Sequence, residues 1–136
     1  MQDPADQPAS IQEDVIKTRQ IISLLDDWGV SDKDQIALLG LPENTRSRMI
    51  RRYRKDTPLP ADKQVIEHIE HLQGIAEALR TSFPRNAAAG AMWMKRPNHR
   101  FDDRAPIQAM LEDGINGVMA VRVHLDCSYD WHLDNK

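Results

Sequence analysis

Cysteine, long apolar runs and glycine-rich loops are scarce or missing in this sequence. The one cysteine, Cys127, rules out an internal disulfide. No stretch approaches the roughly 20 apolar residues that a helix needs to cross a bilayer. The first 30 residues hold no basic region followed by an apolar one, so nothing suggests secretion and a soluble cytoplasmic chain is the expectation. There is no Cys-x-x-Cys pair, no glycine-rich loop and no nucleophile elbow, which argues against a structural zinc or a covalent catalyst. A second convincing strand is also missing, as is any internal repeat.

What is present fits one ordinary domain or two small subdomains. A chain of 136 residues buries roughly two thirds of the surface its unfolded form exposes, enough for a core without staples. Net charge is −3, from 18 basic and 21 acidic residues, but its distribution is uneven. Residues 46–55 read Arg-Ser-Arg-Met-Ile-Arg-Arg-Tyr-Arg-Lys, six basic residues and no acidic one, leaving −9 for the remainder. Such a patch holds a polyanion only if the acidic surface is turned away from it.

The periodicities predict an all-α fold. Residues 1–10 form a loose tail with two prolines. From Ile11 to Trp28, apolar residues recur at three- and four-residue steps, with Ser10 and Glu13 as a capping box and Gly29 as the stop. Ser31 precedes a two-turn helix, Asp32 to Leu39, closed by Gly40, and Pro42 to Tyr53 reads as the next helix. The longest seam is Val65, Ile69, Leu72, Ala76, Leu79 and Phe83, within Ala61 to Phe83. An alanine-rich helix follows Pro84 and carries Trp93 toward the core, and Pro106 opens a short helix ended by Gly114. In the last element Val121, Val123 and Leu125 alternate as in a strand. Val118, Val121 and Leu125 fit a helix, and a lone strand would leave its backbone unpaired, so helix is the expectation.

On a helical projection, Met49, Ile50 and Tyr53 share one stripe, and Arg48, Arg51, Arg52 and Lys55 another. With the preceding segment and Gly40 as the bend, the pattern has the shape of a helix-turn-helix, although Ile36 stands where a small residue is common. Asn44, Thr45, Arg46 and Arg48 would then lie nearest the bases, while Arg51, Arg52 and Lys55 hold phosphates. The competing reading of such a run is a solvated helix face.

Two histidine groupings invite a metal reading. His68 and His71 supply half a tetrahedral shell with no third ligand nearby, and decoration of a solvent-facing helix surface is the favoured reading. His124, Asp126, Cys127, Asp130 and His132 crowd the C-terminus without an orienting group or an oxyanion pocket. No metal site, catalytic residue or cofactor is expected. The final segment is unusual for a loose end because it carries Tyr129, Trp131 and Leu133, which either fold back on the core or meet a partner.

The segment Trp93-Met-Lys-Arg-Pro-Asn-His-Arg-Phe-Asp-Asp-Arg-Ala-Pro-Ile107, followed by Gly114 and Val121-Arg-Val-His-Leu125, resembles the toxin-binding domain of Xre/MbcA/ParS-type antitoxins. Their pattern of a tryptophan, a Pro-Asn pair, an apolar residue, an Arg-x-Pro step and a glycine is met in order by Trp93, Pro97, Asn98, Phe101, Arg104, Pro106 and Gly114. The similarity covers roughly residues 20–127, and Asp103 stands where relatives commonly have glycine. The resemblance implies an all-helical, typically dimeric antitoxin with an Xre-like DNA-binding half at 11–58 and a toxin-binding half at 59–136. It further implies a RES-domain toxin as partner, an NAD-consuming enzyme whose active-site cleft the antitoxin's C-terminal region covers, and repression of its own operator DNA. In that scheme Tyr129, Trp131, His132 and Lys136 contact the toxin, an assignment from position and chemistry alone. The acidic remainder of the chain is then left to bind protein. A free-standing helix-turn-helix repressor is the rival reading.

Overall fold

The computed structural model describes residues 9–134, with side chains described for 12–127. The described residues form seven α-helices and no strand: α1 (Ala9–Asp27), α2 (Asp32–Leu38), α3 (Arg48–Lys55), α4 (Lys63–Ser82), α5 (Ala87–Lys95), α6 (Pro106–Asp113) and α7 (Ile115–Asp134). A 3-10 turn, His99–Phe101, lies between α5 and α6. The all-α expectation holds, and the last element is a helix. Val118, Val121 and Leu125 are buried while Val123 is 58% exposed, which is the helical pattern and the opposite of the strand one.

The first helix ends as its sequence requires. Gly29 takes a positive φ of +75°, and the Val30 amide returns to the Leu25 carbonyl at 3.0 Å. Ser31 then caps α2, its hydroxyl accepting from the Asp34 amide at 3.2 Å. At the other end of α2, Gly40 has φ +72°, and the Leu41 amide returns to the Ile36 carbonyl at 3.1 Å. One boundary differs from expectation: α1 already includes Ala9 and Ser10, so a Ser10 cap does not mark its start.

A larger difference follows Gly40. The helix expected from Pro42 begins only at Arg48, because Pro42 to Thr45 closes a turn, the Thr45 amide donating to the Pro42 carbonyl at 3.0 Å. Proline followed by Asn44, Thr45 and Ser47, whose side chains compete for backbone hydrogen bonds, favours turn over helix. Residues 39–47 thus separate α2 from α3, where a helix-turn-helix has a turn of about three to four residues.

The core is one continuous cluster. Ile22 and Leu25 of α1, with Trp28 just after it, join Ile50 and Tyr53 of α3, and Leu72, Ile75 and Leu79 of α4 join Val118, Val121 and Leu125 of α7, with Met94 and Met110 beside them. Burial of each such side chain contributes about 1.5–3 kcal/mol. The seam expected on α4 is present, with Ile69 and Phe83 half-buried, and it is widened by Ile75 and Ala78.

The histidines of α4 do not decorate its solvent face. His68 is 8% exposed, and its Nδ1 lies 3.0 Å from the Leu38 carbonyl. That carbonyl ends α2 without a helical partner, so a proton on Nδ1 satisfies it. A Cβ on Gly40 would meet the His68 ring at 2.7 Å, which explains why the chain has glycine there on steric as well as conformational grounds. His71 is half-buried, its Nδ1 accepting from Arg122 Nη1 at 3.1 Å, across the α4–α7 contact.

The closest backbone approach is between α6 and α7, where a Cβ on Gly117 would sit 2.2 Å from the Ala109 carbonyl oxygen. Backbone cannot step aside as a flexible side chain can. Gly117→Ala is therefore expected to lower stability by about 1–3 kcal/mol, read as a lower urea midpoint with unchanged m-value.

Candidate functional site

Two surfaces stand out. The first is α3. Ile50 and Tyr53 are buried against α1, Met49 is half-buried, and Arg48, Arg51, Arg52 and Lys55 are all exposed. Arg46 is exposed beside them, but with Asn44 and Thr45 it belongs to the connecting segment and not to the helix, so these three do not form the first turn that the sequence suggested.

The sixth cation of the run behaves differently. Arg54 donates from Nε and Nη2 to the two Asp26 oxygens at 3.0 and 2.9 Å, and from Nη2 to Asp32 at 2.9 Å. Gln35, fully buried, adds a bond from Nε2 to Asp26 at 2.7 Å. Partial burial pushes the Asp26 carboxyl up, but the hydrogen bonds from Arg54 and Gln35 outweigh it and hold the group below its usual value. Arg54 therefore ties α3 to the end of α1 and the start of α2. Two further links hold the C-terminal end of α3 and the segment after it to α1: the Arg19 guanidinium donates to the Lys55 carbonyl, and the Leu59 amide donates to the buried Thr18 hydroxyl at 3.0 Å. Nothing in the periodicity of the run singles out Arg54; Asp26 and Asp32, distant in sequence, decide its role.

The second surface is built around Trp93, Phe101 and His124. Trp93 of α5 stacks almost parallel on His124 of α7, with ring centres 6.0 Å apart, and Phe101 meets both edge-on at 6.4 and 5.5 Å. Trp93 is only half-buried, so it sits at the edge of the core and not within it. Burial, then the nearby Arg100 cation, push His124 below its ordinary value. His124 thus belongs to an aromatic cluster with Trp93 and Phe101. Cys127 and Asp126 are exposed.

The loop under this cluster is tightly cross-bonded. The Asn98 carboxamide oxygen accepts from the Arg100 amide at 2.9 Å, and its carbonyl accepts from the amides of Phe101 and Asp103 at 3.0 and 3.1 Å. The Asn98 amide in turn donates to the Arg104 carbonyl at 3.0 Å. Arg104 donates from Nε to the Phe101 carbonyl at 3.0 Å and pairs with Glu112 and Asp113 of α6 at 2.8 and 2.9 Å. These partners lower the Asp113 carboxyl and raise the Arg104 guanidinium. Asp102 and Asp103 both take the left-handed conformation, φ +58° and +62°, so Asp103 adopts what glycine would take most readily. Pro106 opens α6, and Gln108 Oε1 accepts from the Ala105 amide at 3.0 Å.

Tyr129, Trp131 and His132 fall on the last turns of α7, where side chains lie outside the described residues, and Lys136 lies outside them altogether.

An all-helical chain whose Trp-Pro-Asn-Phe-Arg-Pro-Gly series forms one cross-bonded unit between α5 and α7 fits a protein-binding regulatory domain. Residues 78–126 match the family described as antitoxin Xre/MbcA/ParS C-terminal toxin-binding domain, which runs from the end of α4 into α7. Uncharacterized protein y4oB of Sinorhizobium fredii is 35% identical over 103 residues, 76% of each chain. The chain belongs to the Xre/MbcA/ParS-type antitoxins, and its partner is a toxin.

The lowered His124 has a consequence for pH. A folded value beneath the ordinary 6.5 means that the unfolded chain takes up the proton first. The stabilisation is therefore present above 6.5 and lost as pH falls toward the folded value. His124→Phe keeps an aromatic ring against Trp93 and is expected to flatten that part of the stability profile, measured as urea midpoints between pH 7.5 and 5.

Proposed function

We propose that this antitoxin neutralises a RES-type, NAD-consuming toxin through residues 59–136, and represses its operon by binding operator DNA through residues 11–58 as a homodimer. The observation that carries the DNA half is the exposed, unshared cation face of α3 with Arg46 at its entrance, held rigidly because Ile50, Tyr53 and Arg54 anchor the opposite side. With a long connection in place of a tight turn, α3 has room to enter a groove with Arg46 and Arg48 leading and Arg51, Arg52 and Lys55 against phosphates. Asn44 and Thr45 then read from the preceding loop. A dimer presents two such helices about 34 Å apart, which calls for a pseudo-palindromic site.

Arg48→Ala with Arg52→Ala is expected to weaken binding to DNA from upstream of the gene by about tenfold or more. The slope of log affinity against log salt should become shallower by about 0.9 for each phosphate that the variant no longer neutralises. Unchanged affinity and slope, by fluorescence anisotropy, would remove DNA binding from α3.

On the toxin side, Tyr129, Trp131, His132 and Lys136 are proposed to reach the active-site cleft, with Trp131 as the anchor. Support comes from the place of Tyr129, Trp131 and His132 on the last turns of α7, directly after the family's matched segment. Deletion of residues 128–136 should abolish rescue of cells that express the adjacent toxin while leaving dimerisation intact. Full rescue by the truncated chain would assign neutralisation to the folded domain alone.

A further inference from the structure

Charge along the toxin-binding domain is arranged in a way that the overall value of −3 conceals. Between Glu77 and Asp102 the chain carries Arg80, Arg85, Lys95, Arg96 and Arg100 and no acidic residue. All five are exposed, and among the described residues no carboxylate lies within 4 Å of any of them. This contrasts with Arg54 and Arg104, whose charges are spent on internal carboxylates.

Three of them, Arg80, Arg85 and Arg96, border apolar surface in the folded chain. A groove of about 520 Å³ between α1, α4 and α5 is floored by Leu24, Leu79 and Ala91 and flanked by Arg80 and Arg85, with Asp27 as its one acidic wall. A second groove of about 460 Å³ lies beyond it, formed by Met92, Trp93, Arg96 and Pro97. Phe83 lines both and stands between them. Met92 is 47% exposed and adds apolar surface to the second groove beside Arg96.

We infer that this α4–α5 face is the docking surface for the toxin, and that the toxin surface it receives is acidic with an apolar projection. The inference rests on the antitoxin reading and adds to it the face used and the chemistry of the partner. Arg80, Arg85 and Arg96, unshared on the rims of the grooves, would repel a basic partner, whereas an acidic one gains in encounter rate and register. The apolar floor argues for protein over nucleic acid, since phosphates need the cations but not Phe83, Met92 and the two grooves. It also reverses the division suggested by average charge, in which the acidic remainder of the chain meets the partner.

The test is binding of the full-length antitoxin to the toxin encoded beside it, by calorimetry or surface immobilisation. Arg85→Glu with Arg96→Glu should weaken the complex by about tenfold or more and slow association, and Met92→Glu should accelerate dissociation. Arg51→Glu with Arg52→Glu, of equal charge change on α3, should leave toxin binding as it is. Arg85→Gln with Arg96→Gln guards against misfolding, with helix content checked by circular dichroism, and should give a smaller loss in the same direction. If the unaltered chain does not bind that toxin, the pairing itself is wrong and the inference falls with it. If it binds and the Arg85, Arg96 and Met92 variants bind equally tightly, only the docking face is overturned. If those variants lose affinity for DNA and not for toxin, the surface serves nucleic acid and the inference is overturned in that direction.

Discussion

A helix of 20 residues that has neighbours on more than one side cannot keep a single apolar stripe, and α4 is such a helix. It packs most extensively on α7 and also on α1 and α5. Val65, His68, Leu72, Ile75 and Leu79 form one buried line, and Ala76 and Ala78 broaden it with side chains small enough to let neighbours approach. The rest of the chain depends on that arrangement. α2 is held through the His68–Leu38 bond, α7 through Arg122 and His71, and the grooves of the toxin-binding domain are the spaces left where α1 and α5 diverge from α4.

Within that frame, the fate of each arginine follows from the carboxylates that the fold brings near it. Arg54 and Arg104 each meet two acidic side chains with bidentate geometry and serve as ties between elements. Arg48, Arg51 and Arg52 project away from the body on one helix face, and Arg85 and Arg96 border apolar grooves. The same side chain thus acts as a structural clamp in one place and as free surface charge in another. A paired arginine offers little to a partner, because its donors are already engaged.

The loop 98–104 shows how a short motif acts as a unit. Asn98 anchors the loop through its amide, its carbonyl and its side chain, Phe101 fills the space beneath Trp93 and His124, and Arg104 carries the loop across to α6. Asp102 and Asp103 accept a backbone conformation that costs most residues about 1–2 kcal/mol, and the cross-bonding around them holds it in place. Because Phe101 of this loop completes the trio with Trp93 of α5 and His124 of α7, the loop ties those two helices together.

The sequence alone determined what depends on neighbours a few residues away. The all-helical class, the glycine stops at 29 and 40, the proline start of α6 and the apolar stripe of α3 follow from local spacing, the helical state of residues 118–125 from the want of a second strand to pair with, and the family motif was readable in order from Trp93 to Gly114. Periodicity misplaced the start of α3, because a turn at Pro42 and a helix there bury similar residues. Only the tertiary structure decided which charges are free. Asp26 and Asp32 find Arg54 from 28 and 22 residues away, His68 finds Leu38 from 30, and Trp93 finds His124 on a different helix. Such pairings carry no local signal, since a side chain's partner at long range is set by how helices cross and not by the residues beside it.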